Sequence, residues 1–293
     1  MSYSIHSRFR GTMLGMAVGE IANPLTLKAK LLSERAIDNS SQSGLLNSVL
    51  QGIKTLIALG RFDYEAWQKA MTKELTGNSI ASLLTTLPIS VFFHENELKL
   101  RQNLQLALVA IDRDEPESRD GTLVIGEAIA TALQAKSNPI EIISQAIAFV
   151  GTSPTATAAK LSQVKELLDE RAGLERAIAQ LGQPHELSSQ IALAFFCYLS
   201  TPADFRLTVQ RAAISDRSGM TSAIAGALSG AYNGVASIPA TQALAIGVTN
   251  QAEVLRLCGV LVAVWSGVYQ QSDRATTNNQ IVAIAAPKIV RRR

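Results

Sequence analysis

Glycine recurs at every fourth position in two widely separated stretches of this chain. Gly11, Gly15 and Gly19 fall in RFRGTMLGMAVGE. Gly226, Gly230 and Gly234 fall in SAIAGALSGAYNG, interleaved with Ala223, Ala227 and Ala231. Residues four apart share one face of an α-helix. Each glycine costs a helix interior about 1 kcal/mol against alanine, so a bare stripe points to backbones that must approach closely. The same spacing drives helix pairing in membranes, but the surrounding segments are too polar or too short for a span. The pattern predicts two glycine-faced helices, one near each end of the chain, packed against each other.

The remaining sequence has little room for strands, because two-residue alternation is hardly visible. Hydrophobic residues make up 47% of the 293 positions and aromatics only 5%, a mixture rich in the helix formers Ala and Leu. SGLLNSVLQGIKTLIALG aligns Leu46, Val49, Leu50, Ile53 and Ile57 on one face and stops at Gly60. In the next helix Asp63 is the expected cap, with Ala66, Ala70 and Met71 facing inward. Pro88 is expected to kink or split the third helix. ELKLRQNLQLALVAID is the fourth, and RDEPESRDG then reads as a surface loop. A long helical run from Pro154 to Gly182 should carry Lys165–Asp169 and Arg171–Glu175 pairs on a solvated face. PHELSSQIALAFFCYLS is nearly apolar throughout and reads as central. The fold class is all-α: a single compact multi-helix domain over residues 1–271, with residues 272–293 a flexible basic tail.

The totals exclude several functions. A net charge of +3, with no basic stripe outside PKIVRRR, argues against nucleic acid as a partner. Arg8 and Arg10 precede a short apolar run and so mimic a signal peptide, but the run is broken by glycines and followed directly by Glu20. Leu257–Trp265 is too short to span a bilayer. Cys197 and Cys258 are expected as buried thiols in a reducing compartment, and the localisation expected is cytoplasmic. No CxxC spacing, GxSxG elbow or phosphate-cradling glycine loop occurs. His6, His94 and His185 have no metal-ligand spacing and read as structural or surface residues. Asp112, Asp114, Glu115, Glu117 and Asp120 gather in one turn, but Pro116 and two arginines break the rhythm of a calcium loop, so a solvated turn is expected. The final three arginines read as tail rather than as a membrane or acidic-partner contact.

Three stretches carry a family likeness. RFRGTMLGMAVGE, LIALGRFDYEAWQKAM and SAIAGALSGAYNGVASIP occur in the order, and with the character, of the opening helix, the early helix–turn–helix and the closing signature of one family. On these stretches the chain resembles the ADP-ribosylglycohydrolase family, all-helical hydrolases that remove ADP-ribose from modified proteins. The resemblance implies that fold. For active members it also implies two metal ions, usually magnesium, held by carboxylates and orienting the ribose and an attacking water. Hard cations take oxygen ligands, and two of them side by side need several carboxylates.

The motifs that would supply those ligands are altered here. The family's Thr-Asp-Asp-Thr falls on Ser43-Gly44-Leu45-Leu46, or in a shifted alignment on Asp38-Asn39-Ser40-Ser41. Neither offers adjacent acids. Its Gly-Gly-Asp-Ser/Thr-Asp-Thr, anchored without a gap by AIAGALSGAY, puts the first aspartate on Arg217, the second on Gly219 and the threonine on Met220; only Ser218 matches. Arg217 would repel a cation, since a guanidinium stays protonated. Gly-Asp-Ala-Leu-Gly of the opening helix becomes Gly19-Glu20-Ile21-Ala22-Asn23, and of the substrate-side Gly-Asn-Gly only Gly77 and Asn78 match. A vestigial pocket is therefore expected around Glu20, Asn23, Asp38, Asn78, Asp216, Arg217, Ser218 and Gly219. No metal, cofactor or catalytic residue is assigned to it.

Two readings follow. In the first, the chain keeps the family fold for a binding, regulatory or assembly role. Its partner is then a protein or a second copy, and a nucleotide-like ligand stays open. In the second, it is an active hydrolase of ADP-ribosyl or related bonds that uses Glu20 and Asp216 as an acid–base pair in a rebuilt site. The bland alternative for those two acids is that one of them pairs with Arg217 and closes the site.

Overall fold

The computed structural model describes residues 4–22, 44–71, 79–134, 138–182, 186–216 and 218–268. Among these the regular structure is helical and no strand occurs. None of the described helices is long and apolar enough to cross a membrane.

Helix α1 (Ile5–Glu20) starts where the Ser4 hydroxyl accepts the Ser7 amide, and it is buried along nearly its whole length from Arg8 to Gly19. Its partner is α13 (Met220–Asn233), the second glycine-faced helix, as the spacing predicts. The approach is backbone to backbone. A methyl group on Gly11 would lie 2.2 Å from the Gly230 carbonyl oxygen, and one on Gly19 would lie 2.0 Å from that of Ser222. Gly234 is the third rung, its carbonyl carbon 2.7 Å from a would-be Cβ on Gly11, and it also ends α13 at φ +69°, a conformation that suits glycine.

The other helices wrap this pair. Helix α2 (Gly44–Leu59) buries Leu46, Val49, Leu50 and Ile53 and stops at Gly60, with φ +65°. Helix α3 (Tyr64–Met71) is capped by Asp63, whose Oδ1 accepts the Ala66 amide at 3.0 Å. The residue it buries besides Met71 is Trp67; Ala66 and Ala70 are half-buried. The third predicted helix is split into α4 (Ser79–Leu84) and α5 (Leu87–Phe92), and Pro88 sits in the first turn of α5, where a missing N–H costs nothing. Asn96 caps α6 (Glu97–Ala110).

Two surface readings need correction. The acidic run is a loop only to Glu115. Pro116 opens α7 (Pro116–Gln134), which carries Asp120 into the interior. The long charged run is two helices, α9 (Thr157–Asp169) and α10 (Leu174–Leu181), reached after α8 (Glu141–Val150) and joined by a turn in which Arg171 has φ +54°. Arg171 is therefore not on a helix face with Glu175, and the ion pair formed across the turn is Glu170–Arg176.

Helix α11 (Leu187–Ser200) is central, buried from Leu187 to Leu199. Helix α12 (Phe205–Ser215) runs into the turn before α13. Beyond α13 come a 3-10 turn (Val235–Ser237), α14 (Ala240–Leu244) and α15 (Val248–Trp265). Helices α7, α11 and α12 pack on α13, and α15 packs on α1. Arg8 crosses from α1 to the end of α7, giving hydrogen bonds to the carbonyls of Ala132 (2.7 Å) and Leu133 (3.2 Å). There a cation meets the negative end of a helix. Both cysteines are free and buried.

Candidate functional site

The turn between α12 and α13 holds the described part of the predicted pocket. Ser215 ends α12, Asp216 is extended (φ −146°, ψ 121°), and Gly219 opens α13. Glu20 lies half-buried at the end of α1 beside this turn. The structure thus brings together Glu20, Asp216, Ser218 and Gly219. Asn23, Asp38, Asn78 and Arg217 lie outside the described residues, so a pairing of either acid with Arg217 does as well.

Asp216 is buried and surrounded by donors. Its Oδ2 accepts from Gln190 Nε2 (3.2 Å), Ser218 Oγ (2.5 Å), the Thr221 amide (3.2 Å) and Thr221 Oγ1 (3.1 Å). Its Oδ1 accepts the Ser218 amide at 2.8 Å. Burial alone would raise this carboxyl. The hydrogen bonds from Ser218 and Thr221 outweigh burial and hold it below the ordinary carboxylate value. An ionised carboxylate offers about two lone-pair positions on each oxygen, and here four donors crowd Oδ2 while one meets Oδ1. Asp216 is therefore a committed acceptor and a poor proton acceptor at neutral pH.

Gly219 is shaped by the neighbouring helix end. Its φ is +80°, and a Cβ there would lie 2.4 Å from the carbonyl oxygen of Glu20. Ser222 completes the turn: its hydroxyl donates to the Gly19 carbonyl at 2.7 Å, with the Gly219 carbonyl 3.1 Å away as the alternative acceptor. Gln190, Thr221 and Ser222 were not singled out in the sequence. Thr221 and Ser222 had a signal, as hydroxyl residues at a helix start. Gln190 had none, because it reaches the site from α11.

These residues fail the test for a divalent-cation site. The one acid of the turn is engaged by five protein donors, and position 219 has no space for a side chain. Among the described residues, no three His, Cys, Asp or Glu side chains form a group able to hold a metal ion.

The other acids and bases serve elsewhere. Asp120 accepts hydrogen bonds from the hydroxyls of Ser153 and Thr155 and so ties the loop after α8 to α7. His94 is buried, not at the surface; its Nδ1 lies 2.7 Å from the Val91 carbonyl and its ring packs edge-on to Phe9. Ser189 and Lys160 are within hydrogen-bond reach, but Ser189 is wholly buried and Lys160 pairs with Glu186 at 2.6 Å. A cleft of about 480 Å³, lined by His94, Glu97, Glu127, Gln145 and Phe149 among others, lies between α6, α7 and α8.

An all-helical body organised on two glycine-faced helices, with its motif turn at their junction, is the architecture expected of an ADP-ribosylglycohydrolase relative. The sequence profile of the ADP-ribosylglycohydrolase family matches residues 23–271, and the chain belongs to that family. The match takes in the second and third stretches of likeness and begins after α1. A solved structure described as an "ADP-ribosylglycohydrolase-related protein complex" shares the fold, with a TM-score of 0.60 and 16% identity over 89% of this chain and 99% of that one. No curated protein matches the sequence.

Proposed function

We propose that this chain is a non-catalytic member of its family, with a binding, regulatory or assembly role and a protein or a second copy of itself as partner. The observation that carries the reading is the state of Asp216. The acid nearest the altered metal motif is buried and bonded to five donors, so it serves to hold the turn. The alignment of Arg217 and Gly219 on the two aspartates of the motif supports the same reading. The structural neighbour is described as a complex, which favours a partner in the form of protein. Two free, buried cysteines favour a reducing compartment, and with it the cytoplasm.

One observation favours the second reading, an active hydrolase with a rebuilt site: Glu20 remains an acid, half-buried at the end of α1 next to the turn. The deciding experiment is incubation of the chain with an ADP-ribosylated peptide and magnesium, alongside an active family member. No release of ADP-ribose is expected. Release that is abolished by Glu20→Gln would reject the non-catalytic reading. Affinity capture with mass spectrometry then identifies the partner.

A further inference from the structure

We infer that the start of α13 has been rebuilt as a cation-free helix end, closed by its own carboxylate, that restoring the lost acids cannot return to a metal site. The inference deepens the reading above and takes from it only the alignment of the second motif.

Two features bar a side chain at position 219. The left-handed φ of +80° is one that side chains rarely adopt. The Glu20 carbonyl oxygen occupies the direction a Cβ would take, 2.4 Å from it. The obstacle is backbone, so no rotamer change relieves it. Glu20 is the last residue of α1, which is seated by the approaches at Gly11, Gly15 and Gly19, so its carbonyl can retreat only by unwinding the helix end or shifting α1. An aspartate at 219 would therefore have to displace the end of α1 before it could reach a metal.

Asp216 explains how the turn holds without one. The first amides of a helix need acceptors, and Gly219, in the cap position, has no side chain to offer. Asp216 reaches forward from the end of α12 and takes the Thr221 amide and hydroxyl, while Gln190 fixes it from α11. A negative charge at this end also suits the helix dipole. The helix end supplies its own anion, and that anion is held by protein donors, four on Oδ2 and one on Oδ1.

The test uses the full chain. Its melting temperature is expected to be the same in magnesium chloride and in EDTA. Asp216→Asn should lower it by several degrees in both. Gly219→Ala should lower it as Gly219→Asp does, because the obstacle is steric rather than electrostatic. The Arg217→Asp/Gly219→Asp variant should gain no heat of magnesium binding in calorimetry. A magnesium-dependent rise in the wild-type melting temperature overturns the inference, as does Gly219→Ala melting like wild type. If the position-219 variants do not fold, Asp216→Asn still decides: an unchanged melting temperature overturns the inference. Release of ADP-ribose by a chain whose melting ignores magnesium would reject the functional reading and leave this one standing.

Discussion

Gly15 and Gly226 face each other so closely that a methyl group on either would lie 2.2 Å from the carbonyl oxygen of the other. The contact is reciprocal and made of backbone on both sides. Alanine at either position gains up to about 1 kcal/mol in helix propensity, but the overpacking exceeds it. Gly15→Ala and Gly226→Ala are each expected to destabilise the chain by about 1–3 kcal/mol net, read as a lower urea midpoint. Gly173, with nothing within 4 Å of its would-be Cβ, is the control, and Gly173→Ala should cost less than about 1 kcal/mol. Equal effects at all three positions would refute the close-approach account.

Glu127 gives the fold a pH dependence. Its carboxyl is raised from 4.5 to about 7, first by burial; the Thr131 hydroxyl opposes this, Glu97 adds to it and Arg101 subtracts. A raised acid keeps its proton in the folded chain where the unfolded chain has released it. Stability from this group therefore falls as pH rises from about 4.5 to about 7 and levels off above. Glu127→Gln removes that slope. Its melting temperature relative to wild type should be higher at about pH 8 than at about pH 5, and a difference that stays constant with pH would contradict the assignment.

Asp120 holds the loop at 151–156 through Ser153 and Thr155. Asp120→Ala leaves both hydroxyls without their acceptor, at a cost of about 1–3 kcal/mol. Limited proteolysis should then cut the variant within this loop at protease levels that spare the wild-type chain. Unchanged cleavage would mean that the loop is held by other contacts.

Cys197 and Cys258 are fully buried, and burial pushes both thiols up to about 12. The thiolate is the reactive form, so neither should react with a thiol reagent in neutral buffer while the chain is folded. Both should react once guanidinium unfolds it. Rapid labelling of the native chain would show that one of the two helices opens locally.

The helices and their central pair were legible because periodicity and glycine spacing are local signals. Leu46, Val49, Leu50 and Ile53 declare a face, and Gly11, Gly15 and Gly19 declare a stripe. Trp67 was harder to read: on a helix this short, Ala66 and Ala70 gave an equally regular face, and size rather than spacing decides which residue fills the space under Gly52. The charged neighbours of Asp120 imply a solvated position, and only the helix begun by Pro116 turns it inward. At the site, the alignment exposed Arg217 and Gly219 as departures from the motif. It gave no hint that Glu20 supplies a carbonyl rather than a carboxylate to position 219, because a backbone contact between remote helices leaves no mark on side-chain identity. Gln190, which meets Asp216 from α11, likewise leaves no local mark in the sequence.

The bond from Ser222 to Gly19 joins residues 203 positions apart. On the ribosome, α13 emerges some two hundred residues after α1. At about 5–20 residues per second that is a wait of roughly 10–40 s. Throughout it, an almost wholly interior helix lacks the glycine-faced helix against which its own stripe packs. The central pair can close only once α13 has been made.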